Sequence, residues 1–423
     1  MLERPPVSTK KVSQIAFNPE IEKLNRGYPY WDKVKYFRLT DTNPEEAWFA
    51  IKNLRRINRT FLKFGKYKFG FTVNDEIMEL LHYFDMNIGG GPQAAGILPY
   101  ENKNAFLTSS IMEEAIASSQ MEGAATTRKV AKNMLRKKEK PKNKDQQMIV
   151  NNYQTINYIK ENVQENFSIK ILKDIHYSMT KNTLDNENDS GHFRKHNNII
   201  IMDGLTGETA HYPPDYQELK NLISDLEKFF NGKDKTFIHP IIRAVIIHFM
   251  LSYIHPFSDG NGRTARSLFY WYMIKNGYQL IEYMPISRII YKTKRMYEKA
   301  FLYTEYDEND LTYFIMYNLI TIKKAFEDMK LYITRKIEEN KTAFLLSHIK
   351  GINERQSQII QIVQENPDIM LTVREIESRF AVSNFTARSD LEGLVRLEFL
   401  SEIHLNKVKR AYVKSNLRIE FPN

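Results

Sequence analysis

Along most of the chain apolar residues recur three and four apart, a spacing that gathers them on one stripe of an α-helix. The segments "SSIMEEAIASSQMEG", "MIVNNYQTINYIKENV", "SIKILKDIHYSMTKNT", "YQELKNLISDLEKFF" and "PIIRAVIIHFMLSYIH" all read this way, and they make residues 101–335 a helical domain. Upstream, in "NPEEAWFAIKNLRRINRTFLKF", Asn43 is placed to cap a helix starting at Pro44. Residues 1–100 are expected to pack on the helical domain. The glycine-rich "NIGGGPQAAGILPY" reads as a connector, because no strand precedes it and no Lys-Ser/Thr pair follows. The helical spacing breaks at "FRKHNNIIIMDGLTGETAHYPP". A β-branched run, a "DG" turn and a second short stretch predict a hairpin over 193–213. Beyond residue 350, "RQSQIIQIVQEN", "LTVREIESRF" and "SNFTARSDLEGLVRLEFL" predict three short helices, and "SEIHLNKVKRAYV" alternates like a hairpin. Three helices and a wing over 350–423 is the winged-helix order.

Composition narrows the setting. The most apolar stretch, "AVIIHFMLSYIHPF", is too short to span a bilayer and carries two histidines. The opening "MLERPPVSTKK" lacks the apolar core of a signal peptide. There is no cysteine, hence no disulfide and no thiolate metal site. The expectation is a cytoplasmic protein with no membrane partner. The formal charge of +10 is concentrated in residues 128–144, where nine Lys/Arg face Glu139 alone; the remainder is close to neutral. Such a run reads as a solvated helix face ending in a loop, with a patch for an acidic partner as the other reading. In the tail, Ser383 or Asn384 would cap a recognition-type helix, with Thr386, Arg388, Lys407, Lys409 and Arg410 as candidate DNA contacts. Yet residues 350–423 hold eleven Lys/Arg and ten Asp/Glu, a poor balance for offsetting phosphates. Protein docking or dimerisation is preferred for this region, and a homodimer is left open.

The densest chemistry lies in residues 255–266, "HPFSDGNGRTAR". Gly260 and Gly262 permit a tight turn and close backbone approach to a ligand. A helical pattern follows at once, so N–H groups at a helix start would form an anion site. Arg263 and Arg266, three apart, can fork onto two phosphates of one chain. Asp259 is a hard oxygen ligand suited to Mg²⁺ bridging phosphates. His255, just before the turn, is the nearby group able to act as a base near neutral pH. Together these describe a nucleotide-phosphate site with an adjacent base. His248, seven residues earlier on the same helix face, reads as a core histidine rather than a second catalyst.

At every fixed position this stretch resembles the Fic-domain signature, His-x-Phe-x-Asp/Glu-Gly-Asn-Gly-Arg-x-x-Arg. The resemblance implies a mainly α fold: a Fic-type helical core with a β-hairpin flap, followed here by the winged-helix domain. It implies transfer of AMP from ATP to a Ser, Thr or Tyr hydroxyl of a target protein, or of the protein itself, with pyrophosphate leaving. His255 would take the hydroxyl proton and Asp259 would hold Mg²⁺. Asn261, with the backbone of Gly260 and Gly262, would stabilise charge on the α-phosphate. Arg263 would contact the phosphate chain and Arg266 the γ-phosphate. Doc-like kinases carry lysine where this chain has Gly262, so Gly262 points to nucleotidyl transfer. "SSQMEG" fits the family's inhibitory pattern, Ser/Thr-x-x-x-Glu-Gly/Asn, as Ser118, Glu122 and Gly123 on a helix over about 110–123. In that reading Glu122 pairs with Arg266 and blocks the productive ATP pose; removal of AMP by some relatives leaves the reverse reaction open. The hairpin would be the flap that holds a target segment by main-chain bonding, and Tyr297 would stack on adenine. The competing reading is a nucleotide-sensing DNA-binding regulator acting through the winged helix.

Overall fold

The computed structural model describes residues 2–6, 19–39, 42–90, 103–203, 207–233, 236–347, 352–380, 382–404 and 410–415. It divides into two compact units, Met1–Met329 and Lys330–Asn423. The fold is mainly α: among the described residues the strands form three two-stranded antiparallel ribbons and no closed sheet.

The first unit opens with two short helices, α1 (Pro19–Asn25) and α2 (Trp31–Val34), and then α3 (Pro44–Ile57). Asn43 accepts the Glu46 N–H at 2.9 Å and Glu46 accepts the Asn43 N–H in return, so the expected cap is a full capping box. The helix stops at Ile57. "RTFLKF", which looked continuous with it, is strand β1 (Arg59–Phe64), paired with β2 (Tyr67–Thr72) across a turn where Gly65 has φ +55°. From Arg59 onward the period is two, with Leu62 and Phe64 turned toward the core; a run this short fits either period until its partner strand is known. α4 (Asp75–Asn87) follows, and the glycine-rich connector lies for the most part outside the described residues.

Next come α5 (Lys103–Met121), α6 (Arg128–Lys137), α7 (Lys144–Glu161), α8 (Ile169–Thr180), α9 (Leu219–Phe230), α10 (Pro240–Ile254), α11 (Asn261–Lys275), α12 (Ile286–Lys292), α13 (Lys294–Tyr306) and α14 (Thr312–Ser347), whose residues from Lys330 onward count to the second unit. α10 is apolar on every side and buried from Ile241 to Leu251, which makes it the central helix of this unit rather than an amphipathic surface one. α11 packs along it, and α5 lies against α7 and α12. No described helix is long and apolar enough to cross a membrane. The basic run is helix α6 followed by a loop. Arg128 and Lys132 close on Glu113 of α5 at 2.5 and 2.8 Å, while Lys129, Arg136, Lys138, Lys140 and Lys142 face solvent.

The hairpin expected over 193–213 is reduced to β3 (Ile201–Met202) and β4 (Thr209–His211). Its first part is folded into turns instead, because Asn197 Oδ1 accepts from both Arg194 and the Tyr216 N–H. Part of its "DG" turn, residues 204–206, lies outside the described residues.

The second unit contains α15 (Glu354–Glu365), α16 (Val373–Phe380), α17 (Asn384–Arg396), β5 (Leu400–His404) and β6 (Arg410–Lys414). Ile359, Ile376, Ala387, Leu391, Leu394 and Tyr412 form its own core. Ser383 is the α17 cap, accepting the Thr386 N–H at 3.2 Å. Lys407 and Lys409 lie outside the described residues.

Candidate active site

α10 ends at His255, whose backbone turns left-handed at φ +47°. A non-glycine residue there costs about 1–2 kcal/mol, so neighbouring contacts must hold it. The His255 N–H donates to Leu251 O at 3.0 Å, and the His255 carbonyl accepts from Arg194 Nε at 2.9 Å. Arg194 is buried; its peptide N–H also reaches Pro256 O at 2.9 Å, and its guanidinium bonds His196 O, Asn197 and Pro214 O. It therefore ties the loop to the base of the hairpin. Ring atom Nδ1 of His255 lies 3.3 Å from Ser252 O, which only accepts, so Nδ1 carries the hydrogen and Nε2 keeps its lone pair. Burial pushes the imidazole down to about 4, against smaller opposing contributions from Ser252 and Glu122. The ring is neutral at neutral pH.

The turn itself is held from below. His176 Nδ1 accepts the Gly191 N–H at 3.0 Å, so Nε2 carries the hydrogen it gives to Asp259 O at 2.8 Å. The His176 ring stacks on Phe257 with centroids 3.6 Å apart. Gly260 has φ +78°, and a Cβ there would sit 2.6 Å from Thr180 Cγ2. Asn261 donates to Phe257 O at 2.8 Å and accepts the Phe257 N–H at 3.0 Å. Its side chain clamps the loop, which leaves to its backbone N–H the contact with phosphate that the resemblance implies.

α11 begins at Asn261, and its first intrahelical bond is Thr264 N–H to Gly260 O. The N–H groups of Asn261, Gly262 and Arg263 precede that bond and have no acceptor within the helix. Arg263 is fully buried. Its Nη1 donates to Met179 O at 3.1 Å, whereas Nε and Nη2 have no hydrogen-bond partner, Nη2 standing 3.8 Å from Asp259 Oδ2. A buried guanidinium with two open donors beside a bare helix start is chemically matched to a phosphate chain. The Asp259 side chain is half exposed; Oδ1 takes the Gly260 N–H at 2.6 Å, and Oδ2 makes the 3.8 Å approach to Arg263. One carboxylate oxygen fits Mg²⁺ whose other ligands are phosphate and water; among the described residues no three potential metal-ligating side chains cluster.

Arg266 is occupied. Nε donates to Ser118 Oγ at 3.0 Å, and Nη2 donates to Ser118 O and to Glu122 Oε1, both at 2.9 Å. Burial opposes ionisation of Glu122, but Arg266 and then Arg263 outweigh it and hold the carboxyl below its usual range. Gly123, at φ +99°, lets the chain leave α5 directly after Glu122. A Cβ on Gly262 would fall 2.2 Å from Glu122 Oε1, so a side chain there would push the Glu122 carboxylate from its present place beside Arg266.

His255, Asn261, Gly262, Arg266, Glu122 and Tyr297 line one cavity of about 220 Å³, to which β3, β4 and α13 also contribute lining residues. The Tyr297 hydroxyl bonds His248 Nε2 at 2.9 Å, and its ring meets Phe301 edge-on. Burial pushes His248 down to about 3, as befits a core histidine. His211 of β4 stands 2.7 Å from Glu305 of α13 and 2.8 Å from Tyr253 O, which pins the hairpin to the cavity wall. Arg194, His176 and His211 escaped the sequence reading. Each comes from a segment remote from the loop, and no spacing marks it.

Residues 166–273 match the sequence model of the Fic/DOC family. The chain is 41% identical over 69 residues to the Protein adenylyltransferase Fic of Aedes aegypti, covering 16% of this chain and 14% of that protein. It is 29% identical over 158 residues to the Protein adenylyltransferase Fic of Drosophila grimshawi, covering 37% and 31%. It thus spans less than a third of the length of either relative. A Fic family protein from Desulfovibrio desulfuricans G20 aligns in structure with TM-score 0.49 and 16% identity, over 82% of this chain and 95% of that one.

Proposed function

We propose that this protein is an autoinhibited protein AMP-transferase, moving AMP from ATP to a hydroxyl side chain of a target protein or of itself. The observation that carries the reading is His255: with Nδ1 turned to Ser252 O and its Nε2 lone pair left over, it lines the same cavity as Asn261 and Gly262 at the start of α11 and as Arg266. In the reaction, Nε2 takes the proton of the attacking hydroxyl, the hydroxyl oxygen bonds the α-phosphorus, and the bond to pyrophosphate breaks. The N–H groups opening α11, with Arg263, receive the charge that develops on the phosphate oxygens. A bound Mg²⁺, held by Asp259, would neutralise phosphate charge. Phosphate charge beside His255 raises the basicity that burial depresses. Glu122 and Ser118 act as the brake, because they take the Arg266 donors that a γ-phosphate needs. The hairpin, pinned by His211, serves as the flap along which a target segment lies, and Tyr297 with Phe301 forms the wall beside the adenine.

The test is incubation with Mg-ATP labelled on the α or the γ phosphate. Label is expected to stay with protein from the α position only, to increase in Glu122→Gly and to vanish in His255→Ala. Retention from the γ position would mean kinase chemistry and would sink the proposal.

A further inference from the structure

The inhibitory pattern ends at Ser118 toward the N-terminus, yet the stripe of α5 that carries it continues one turn further. Glu114, Ser118 and Glu122 are spaced by four, and they face Tyr270 and Arg266 of α11, also spaced by four. Glu114 is almost fully buried. Its Oε2 meets the Tyr270 hydroxyl at 2.7 Å and the Ser287 N–H at 2.9 Å, and Oε1 meets Ser287 Oγ.

The contact favours one placement of its hydrogens. The Tyr270 oxygen accepts the Ile286 N–H at 2.9 Å. Its single hydrogen faces two acceptors, Glu114 Oε2 and Met284 O at 2.9 Å. If Glu114 is ionised, one of these two oxygen–oxygen contacts has no hydrogen in it, although Met284 O still accepts the Ile286 N–H at 2.8 Å and Glu114 Oε2 the Ser287 N–H. If Glu114 keeps its proton, it donates to Tyr270, Tyr270 donates on to Met284 O, and the chain closes. Of the charged groups around it, Lys160 is neutralised by Glu282 at 2.7 Å across a small shared cavity, and Arg266, which favours the ionised form, is engaged by Glu122. Burial raises the Glu114 carboxyl above its usual range, in the same direction.

We propose that Glu114 is a positioning residue of the brake: it seats α5 on Tyr270 and Ser287 and so sets the reach of Ser118 and Glu122 to Arg266. The proposal rests on the reading of Glu122 as a brake. Its test uses the full chain, with amide hydrogen exchange over residues 115–122 and α-label incorporation from Mg-ATP. Glu114→Gln can keep its oxygen as acceptor for the Tyr270 hydroxyl and the Ser287 N–H while its amide donates to Ser287 Oγ, and it should keep parental exchange and parental incorporation. Glu114→Ala, and Tyr270→Phe, which removes one oxygen, should each speed exchange about tenfold. Incorporation should rise toward that of Glu122→Gly, with no further rise in Glu114→Ala/Glu122→Gly. Parental exchange in Tyr270→Phe, a loosened Glu114→Gln, or a double variant whose effects multiply would each overturn the proposal. If Glu122→Gly itself incorporates no label, the functional reading fails, while the exchange measurement still decides the seat.

Discussion

At the scale of single residues the site is a set of charged groups held short of their usual comfort. His255 is pushed down to about 4 by burial, so its neutral form persists from neutral pH down to that region. The kcat/KM of Glu122→Gly for Mg-ATP should therefore keep its plateau well below pH 6.5, and the acid limb should lie nearer 4. A limb centred at 6.5 would mean that an exposed imidazole serves as base. Arg263 presents the opposite economy. Two of its donors are buried without partners, and burial lowers its affinity for the proton, so its charge costs stability in the free protein. Arg263→Met should leave the melting temperature unchanged or raise it, by about 1 kcal/mol of stability. The same change should weaken Mg-ATP binding at least about tenfold, since a charge-assisted phosphate contact is lost. Lower stability with unaltered nucleotide affinity would show that Arg263 is a structural residue and not part of a phosphate cradle.

At the scale of elements, the loop is built by groups that come from elsewhere in the chain. Arg194 holds the carbonyl of a left-handed His255 and three further acceptors near the base of the hairpin. Arg194→Ala strands those acceptors and should cost about 3 kcal/mol in a urea melt. It should also lower α-label incorporation in the Glu122→Gly background by more than the loss of folded protein explains. Equal losses would restrict Arg194 to stability. This element also marks how far the sequence could be read. The turn and helix start between His255 and Arg266 were legible because their signals are local: turn glycines, histidine, aspartate and the helical pattern lie close together in sequence. The helices α5, α7, α8, α9 and α11 were legible from the threefold and fourfold spacing of their apolar residues, and α10, apolar on every side, from the length of its apolar run. β1 was not, because "RTFLKF" is too short to declare its period without β2 beside it. The hairpin was foreseen as longer than it is, because its length is cut by Asn197, whose partners are set by tertiary contact. Arg194, His176 and Glu114 were silent for the same reason.

At the scale of the whole molecule, the question is where the excess positive charge can act. A DNA-reading tail needs cations free to replace counterions. In the second unit they are nearly balanced in number by acids: residues 350–423 hold eleven basic and ten acidic residues, with Arg355 paired to Asp390 at 2.8 Å and Arg410 to Glu402 at 3.0 Å. In the first unit Arg128 and Lys132 are engaged by Glu113, but five cations of residues 128–142 remain on the surface without an acidic partner. Duplex DNA should then bind the full chain weakly and regardless of sequence, through the first unit. Its affinity should fall with salt along a log–log slope no steeper than about −4.5, five phosphates at about 0.9 each. Lys129→Glu/Arg136→Glu should abolish that binding, whereas Arg388→Ala should leave it as it was. Binding that survives at physiological salt, prefers one sequence and disappears with Arg388→Ala would make the tail a true DNA reader. Failing that, the unit with its own core around Leu391 and Tyr412 is better suited to a protein surface than to a phosphate backbone, because matched charges cost less to bury against matched charges than against a polyanion.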